Sequence, residues 1–412
     1  MSVSSKDRAV LRDLACRVAD IAALPAQQET QRLWRALNRL EPVRPMVMID
    51  QVCWHEMDVD GELALQTEDA FSRWLETRLR QTLYQWKHMP VDMVVEPFID
   101  IPRAFHNTGF GIHTAEQVAV LDPRNSVVGH RYLDQLKDED DVARIQTPKI
   151  TSDAEATARA EAAAREIFDG TLQVRVQGTF PAFAPWDAIV QWHGVESLLF
   201  DMVERPAFMH SIISCLTEAN LCMLDQLEEQ GLLGHGQGTI HCSGAYTDEL
   251  PAAGFDPARA RARDLWTCGM AQIFSTVSPA MHQEFELDYA NRWYARFGLV
   301  YYGCCEPLDG KIDIIRRTPH VRKISMSPWV DVERGAARIG RDYVFSRKPS
   351  PAFLAPDSWQ PQEVEKDLCE TLLACERHGT PVEFILKDIS TVRYQPQRLW
   401  EWAQIAARVV RG

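Results

Sequence analysis

Short runs of apolar and β-branched residues alternate along most of the chain with longer segments whose apolar positions recur at helical spacing. This alternation is typical of a parallel sheet whose strands are joined by helices. The pattern predicts eight strands, at residues 93–96, 172–176, 238–241, 271–274, 299–302, 323–326, 343–345 and 383–386. Two helices have recognisable ends, one from Ser152 and Asp153 to Gly170 and one from Pro361 to Gly379.

Eight strands that alternate with helices over about 320 residues predict a (β/α)₈ TIM barrel with insertions, since about 250 residues are typical of that fold. A doubly wound open sheet is the alternative. That fold would carry a glycine-rich phosphate turn after its first strand, and Glu96-Pro97-Phe98-Ile99 contains no glycine. The barrel is therefore the favoured fold class.

The first 45 residues have a different pattern, with apolar positions at helical spacing and no strand-like run. These positions are Val10, Leu11, Leu14, Val18, Ile21, Leu33, Leu37 and Leu40. The pattern predicts an N-terminal helical extension over residues 1–45 that packs on the flank of a barrel formed by residues 46–412. A dimerisation element is the alternative, and a homodimer is expected only by analogy.

Composition narrows the function classes. The chain has 412 residues, of which 46% are hydrophobic and 25% charged, a balance typical of globular enzymes. Its formal charge of -14 argues against sequence-independent binding to nucleic acid or anionic membranes, which requires a basic surface. The N-terminus is not a signal sequence in pattern and no run approaches a membrane span, so we expect a cytoplasmic protein. The ten cysteines lack the spacing of a disulfide framework and are expected to be reduced.

Polar and ionisable residues collect directly after the predicted strands. In α/β barrels the carboxyl ends of the strands hold the active site, so this accumulation favours an enzyme over a binding module. The residues are Glu96, His241-Cys242-Ser243, Cys304-Cys305-Glu306, Ser325-Met326-Ser327-Pro328-Trp329, Ser346-Arg347-Lys348 and Lys387-Asp388-Ile389-Ser390.

The tandem cysteines predict a metal site. Adjacent cysteines are poor disulfide partners, and thiolate, imidazole and carboxylate are the ligands that zinc prefers. We predict that His241, Cys304, Cys305 and Glu306 hold zinc, and that His241 and Glu306 are catalytic. Two alternatives stay open at this point. The thiols can be buried small hydrophobes, and His241 can be hydrogen-bonded within the top of the barrel.

Five residues are candidates for substrate binding, namely Glu96, Ser327, Trp329, Arg347 and Lys348. Arg347 and Lys348 can clamp a carboxylate or phosphate, although a solvated basic pair is the common alternative. Trp329 can stack on a planar or methyl-bearing substrate, or simply pack on the rim. Lys387 and Asp388 follow an apolar strand and can neutralise one another, which predicts a structural role for them.

Six segments carry a resemblance to the uroporphyrinogen decarboxylase superfamily, in particular to its branch of corrinoid-dependent methyltransferases and O-demethylase components. The segments are 84–90 (YQWKHMP), 95–98 (VEPF), 277–285 (VSPAMHQEF), 302–308 (YGCCEPL), 324–329 (ISMSPW) and 345–349 (FSRKP). The resemblance implies a single barrel that transfers a methyl group between a small methylated compound and the cobalt of a corrinoid protein. It also implies zinc as a Lewis acid. The chain has no Asp-x-His-x-x-Gly corrinoid signature, so a partner protein would supply the corrinoid.

The chain departs from its relatives in two places. The Arg-Gln-Ala-Gly-Arg stretch that holds substrate carboxylates in uroporphyrinogen decarboxylases is missing, so porphyrinogen decarboxylation is not expected. The zinc-dependent relatives use His-x-Cys after one strand and a cysteine after the last. This chain has His241-Cys242-Ser243 and Ser390 there, so Cys304, Cys305 and Glu306 would have to take over the ligation.

Three functions of different classes remain open. The first is a zinc-dependent methyltransferase that acts on a small O-, N- or S-methylated compound with a corrinoid protein. The second is a metal-independent decarboxylase or lyase of the same superfamily, in which Arg347 and Lys348 stabilise carboxylate and carbanion charge. The third is a non-catalytic barrel that serves as a binding partner.

Overall fold

The computed structural model describes residues 3–120, 123, 125 and 128–412. The α-helices are α1 (Ser5–Ala22), α2 (Pro25–Asn38), α3 (Ala70–His88), α4 (Glu139–Val142), α5 (Ala154–Phe168), α6 (Pro185–His193), α7 (Val195–Glu204), α8 (Pro206–Glu229), α9 (Pro279–His282), α10 (Asp288–Tyr294), α11 (Ile312–Ile315), α12 (Val332–Ile339), α13 (Pro361–His378) and α14 (Gln397–Arg411). Short 3₁₀ segments span Trp54–Glu56, Ala262–Asp264, Gln272–Thr276 and Pro351–Leu354, and a π-helical turn spans Gln283–Leu287.

The strands form one large parallel sheet and several small pairs. They are β1 (Met46–Ile49), β2 (Phe98–Pro102), β3 (Phe105–Asn107), β4 (Glu116–Ala119), β5 (Gly129–Tyr132), β6 (Ile150–Ser152), β7 (Gln173–Gln177), β8 (Thr239–Ile240), β9 (Ser243–Gly244), β10 (Trp266–Gly269), β11 (Leu299–Tyr302), β12 (Val321–Met326), β13 (Val344–Arg347) and β14 (Val382–Leu386). The large sheet has the order β1-β14-β13-β12-β11-β10, and every neighbouring pair in it is parallel.

The remaining strands pair outside that sheet. β2 and β7 form a parallel pair, whereas β3 with β6, β4 with β5, and β8 with β9 are antiparallel. Isolated parallel bridges join Thr179 to Leu233 and Phe183 to Gly269, the last residue of β10. The fold is thus a mixed α/β fold built around a six-stranded parallel sheet.

Most of the predicted elements lie where the sequence placed them, with four corrections. Strands near 173–177, 299–302, 321–326, 344–347 and 382–386 are present, and α5 and α13 have the predicted ends. The strand predicted at 238–241 is reduced to the two residues of β8, in an antiparallel pair. The prediction at 93–96 is wrong, because the strand begins only after Pro97.

The prediction at 271–274 is also wrong. That run forms a 3₁₀ turn, and the strand is β10, five residues earlier. β1 was not predicted, since an apolar run of only four residues next to a proline does not indicate a strand clearly. A short apolar run has no periodicity that separates a buried strand from a buried helical turn, so such runs are easily misassigned.

The six-stranded sheet has two faces of different composition. The helix face packs its apolar side chains against α12, α13 and α14, with Ile324, Phe345 and Phe384 among them. The inner face, on the other side, carries Cys268, Tyr301, Ser325 and Ser346 along with a second set of apolar residues. Successive side chains of a strand point to opposite faces, so neighbouring residues in one strand contribute to different environments.

The first two helices pack against different parts of the molecule. α1 packs with α3 and α5 around buried residues of β2. Trp34 of α2 is fully buried beside Gly244, where a Cβ atom would lie 2.3 Å from the indole, so a side chain at 244 would displace the helix. The division of the chain at residue 45 stays a prediction, although β1 begins at Met46.

One helix of the described chain, α8, has the length and apolar composition of a membrane span, so the expectation that no run approaches such a span is wrong. Half of that stretch is buried inside the protein, as in the core helix of a globular domain. A single helix of this kind is weak evidence for a membrane location.

Candidate active site on the inner face

The carboxyl ends of β11, β13 and β14 bring polar side chains together on the inner face. β11 ends in Gly303, which has φ +90° and leaves no room for a Cβ, since that atom would lie 2.3 Å from Leu308. A left-handed residue turns the chain sharply. The turn places Cys304 in the buried group that also contains Tyr301 and Cys268. β13 and β14 continue directly into Lys348 and Lys387. We refer to His241, Tyr301, Cys304, Lys348 and Lys387 as the inner-face cluster.

The two tandem thiols differ in exposure and in proton affinity. Cys304 is buried and Cys305 is exposed, and their Sγ atoms are 3.6 Å apart. Lys387 Nζ donates to Cys304 Sγ at 3.2 Å. A hydrogen bond between the two thiols raises the pKa of Cys304, as does burial, and the same hydrogen bond lowers the pKa of Cys305. Cys305 is thus the thiol of the pair that ionises first.

Lys387 keeps its charge although it is largely shielded from water. Burial lowers the pKa of Lys387, but the charge of Asp388, together with the charges that Cys304 and Cys242 carry once they ionise, outweighs burial and raises it. Asp388 Oδ2 lies 3.2 Å from Lys387 Nζ, and that carboxylate is half exposed. The contact between Lys387 and Asp388 predicted from the sequence is present, but the same amine also reaches Cys304.

Lys348 is the more unusual of the two amines. Only 4% of the residue is exposed, and Nζ has no hydrogen-bond partner among the described residues. It lies 4.9 Å from the centre of the Tyr301 ring, a cation–π contact. Burial lowers the pKa of Lys348 to about 8, and repulsion by Lys387 contributes.

His241 lies near the same aromatic ring. The imidazole and Tyr301 ring centres are 5.1 Å apart. His241 Nε2 is shielded from solvent and has no hydrogen-bond partner within the described part of the chain. Burial, followed by the charges of Lys348 and Lys387, lowers the pKa of His241 well below its ordinary value, so the ring is neutral at pH 7. His241 and Cys242 have φ of 44° and 68°, a left-handed conformation that is strained for both residues.

Glu306 directly follows the tandem thiols in the turn after β11. Its carboxylate is fully buried and accepts hydrogen bonds from the backbone N–H groups of Ala271, at 3.1 Å, and Cys304, at 2.9 Å. Burial raises the pKa of Glu306, and the backbone hydrogen bonds act against this rise. Both oxygens are thereby engaged in holding the turn that carries the thiols.

The described side chains do not fit zinc. Within residues 3–120, 123, 125 and 128–412, no three His, Cys, Asp or Glu side chains converge in an arrangement that could hold a metal ion. Cys304 accepts from an amine, Glu306 is bound to backbone amides, and two buried lysines would repel a dication nearby. Zinc at His241, Cys304, Cys305 and Glu306 therefore stays a prediction, one that this geometry does not favour.

Arg347 and Lys348 lie on opposite faces of the sheet. Arg347 Nη2 contacts Asp367 of α13 at 2.9 Å, and Nη1 donates to the backbone oxygen of Ser327 at 2.6 Å. Ser327 itself is fully buried. Only Lys348 of the predicted clamp belongs to the inner-face cluster.

The other two substrate-binding candidates lie apart from the cluster. Trp329 is 76% exposed. Glu96 accepts from Tyr246 Oη at 2.7 Å and from Gln31 of α2 at 3.3 Å. Glu96 lines a cavity of about 330 Å³ whose wall includes Arg175 but no thiol or lysine of the inner-face cluster.

Two residues of the inner-face cluster, Lys387 and Tyr301, were not among the functional residues predicted from the sequence. The sequence predicts a structural role for Lys387, because its acidic neighbour follows it, and does not distinguish Tyr301 from the other residues of its strand. The available signal for Lys387 is its position directly after a fully buried strand, because burial of an amine is costly unless it has a partner. Nothing in the local sequence marks Tyr301 as the ring that His241 and Lys348 share.

Comparison with known proteins leaves the family open. No protein family model matches the chain, and no curated protein matches it. Among solved structures, one described as "methyltransferase from Methanosarcina mazei" is similar over 92% of this chain and 97% of that chain, with 13% sequence identity and a TM-score of 0.47. A similarity at this level assigns neither a family nor an activity to the chain.

Proposed function

We propose that this protein is a methyltransferase that moves a methyl group between a small O-, N- or S-methylated compound and a corrinoid protein, with its reaction centre at the inner-face cluster. The supporting observation is that two amines and a thiol pair follow the carboxyl ends of strands in one parallel sheet. The neutral imidazole of His241 follows the antiparallel strand β8 and shares the ring of Tyr301 with Lys348. Parallel α/β folds place their catalytic groups at the carboxyl ends of their strands.

The proposal includes closure of the large sheet into a barrel. In this barrel, β2 and β7 lie between β1 and β10, the two edge strands of the six-stranded sheet. The bridge from Phe183 to Gly269 supports this closure, because it extends the pairing beyond the edge strand β10. The inner face would then be the interior of a (β/α)₈ barrel, and the cluster would lie at the mouth where barrel enzymes bind substrates.

The reaction needs a group that stabilises an anion. When a methyl group leaves oxygen, nitrogen or sulfur, that atom keeps the bonding electron pair. An ammonium group nearby can stabilise the charge or donate a proton, and a pKa near the working pH suits a proton donor. Lys348, with a pKa of about 8, has this property, and Lys387 adds a second positive charge. The corrinoid protein supplies the methyl-accepting centre.

The experiment is a donor screen with a reduced corrinoid protein. Methylated aromatics, amines and thiols are each mixed with the purified protein, while corrinoid absorbance and the demethylated product are followed. We expect at least one donor to give both signals, and Lys348→Met to slow transfer by about 100-fold or more, as for loss of a general acid. Lys311→Met is the matched control, because Lys311 is also buried but contacts Phe274 and His282 instead.

One observation favours a second function, a metal-independent carboxy-lyase. A buried amine without a hydrogen-bond partner among the described residues can hold a carboxylate or stabilise a carbanion, and Lys348 is such an amine. Carbon dioxide release from a carboxylated substrate, with no methyl transfer to the corrinoid in the donor screen, would contradict the methyltransferase and support the lyase.

A further inference from the structure

Lys348 and Lys387 extend from neighbouring strands onto the same face. Ser346 of β13 is aligned with Glu383 of β14, and side chains alternate along each strand. Two residues beyond Ser346 and four beyond Glu383, the lysines therefore return to the inner face. The contacts agree with this alternation, since Lys348 lies over Tyr301 and Lys387 reaches Cys304.

The positive charge at this site has little compensation. Deeper on the same face, Lys323 and Glu383 form a fully buried ion pair at 2.7 Å, which shows how this interior neutralises an amine elsewhere. Asp388 contacts Lys387 from a half-exposed position. Lys348 has no carboxylate within hydrogen-bond distance among the described residues. A buried charge without a partner is costly, so the position has a strong physical preference for an added anion.

The surroundings also suit an anion with a flat apolar part. The ring of Tyr301 contacts both Lys348 and His241, and the apolar side chains of Cys268 and Ile240 belong to the same buried group. The neutral imidazole of His241 offers one more hydrogen-bonding nitrogen, Nε2, that the described residues leave without a partner. These groups provide charge, a hydrogen bond and an aromatic surface within one cluster.

We propose that the inner-face cluster binds a small organic monoanion, through a carboxylate or phenolate oxygen held by Lys348 and Lys387. His241 donates or accepts a further hydrogen bond, and the anion's apolar part packs on Tyr301. At pH 7 the pKa of Lys348, about 8, leaves the amine mostly charged. The proposed anion site lies at the same cluster as the proposed methyl transfer. It does not depend on that reaction, because binding of the anion requires neither a methyl group nor a corrinoid protein.

The test compares benzoate with its neutral isostere benzamide by isothermal titration calorimetry on the intact protein. We expect wild-type protein to bind benzoate at least about tenfold more tightly than benzamide. In Lys348→Met this preference should vanish, whereas Lys311→Met should keep it, since Lys311 is a buried amine outside the cluster.

Several outcomes would overturn the proposal. They are equal affinity of wild-type protein for the two probes, no binding of benzoate, and an unchanged preference in Lys348→Met. Tighter binding of inorganic phosphate than of benzoate would overturn the organic class of the ligand. The wild-type comparison needs no variant, so it decides the matter even if Lys348→Met does not fold. Benzoate selectivity without methyl transfer would leave this inference standing while the proposed reaction fails.

Discussion

The ammonium group of Lys348 is buried against the ring of Tyr301 and has no hydrogen-bond acceptor among the described residues. Its neighbour Lys323, by contrast, is paired with Glu383. The folded protein therefore destabilises the charged form of Lys348. Burial is the largest cause of the lowering of its pKa from 10.5 to about 8. Such a group costs stability and is retained where it serves a reaction or a ligand.

Replacement of Lys348 by methionine should stabilise the protein. Because the pKa is lower in the folded than in the unfolded chain, the penalty is complete below pH 8 and disappears as the pH rises past 10.5. We expect Lys348→Met to raise the free energy of unfolding by about 3 kcal/mol at pH 7 and by much less above pH 10.5. Urea unfolding at both pH values measures this, with the exposed Lys6→Met as control. A destabilised variant at pH 7 would show that the amine is satisfied.

Cys305 should be the more reactive thiol of the tandem pair. The hydrogen bond from Cys304 lowers its pKa, and its side chain is exposed. We expect iodoacetamide to label Cys305 several-fold faster than the exposed Cys222, and Lys387→Met to slow the labelling because Lys387 supports Cys304. Peptide mass spectrometry measures the rates.

The same labelling experiment also tests the metal. Zinc added before the reagent should not protect Cys305, because the described side chains do not converge on a metal position. Complete protection by one equivalent of zinc would instead support the site predicted from the sequence.

The turn after β11 connects that strand to the tandem cysteines of the candidate site. Gly303 allows the left-handed bend, and Glu306 holds the bend through the backbone of Cys304 and Ala271. The glycine is needed for two reasons, its φ of +90° and the 2.3 Å approach of Leu308 to the position of a Cβ.

Gly303→Ala should destabilise this turn by about 2 kcal/mol or more, through backbone strain and the clash with Leu308. The matched control is Gly310→Ala, where no atom lies within 4 Å of the added Cβ. Thermal unfolding compares the two variants. Equal melting temperatures would mean that the turn adapts without cost.

At the scale of the whole molecule, α2 packs on the large sheet, where Trp34 and Leu37 share a buried cluster with residues of β1, β13 and β14. Trp34 of α2 is fully buried, packs on Gly244 and donates from Nε1 to the backbone oxygen of Asp92 at 2.9 Å. Lys323 lies 5.2 Å from its ring. α2 is thus part of the packing beneath the inner face, and its removal would expose a buried ion pair.

Trp34→Ala should lower the free energy of unfolding by about 3–5 kcal/mol, the range for a buried aromatic. Trp74→Ala, at an exposed position, is the control and should cost much less. If the two variants have the same stability in urea, the N-terminal helices pack as a separate unit, as the division at residue 45 would allow.

The sequence by itself located β11, β12, β13 and β14, because each is a short run rich in apolar and β-branched residues between turn residues. It also placed Cys304 and Lys348 near one another, since the carboxyl ends of parallel strands share one edge, whereas His241 follows the antiparallel strand β8. β1 was missed and β10 was shifted, although they have four residues each like β11, because a run of four residues carries no period that separates a strand from a helical turn.

Only the tertiary structure decided which face each side chain occupies. Arg347 and Lys348 are adjacent in sequence, yet one reaches Asp367 behind the sheet and the other Tyr301 in front of it. The hydrogen bonds of Glu306 to backbone amides and of Lys387 to a thiol likewise come only from the folded chain, while the predicted roles of both residues stay predictions. The pattern of apolar and polar residues assigns side chains to the ends of strands. The groups that these side chains contact belong to other strands and helices, so the distances between them are set only when the chain packs.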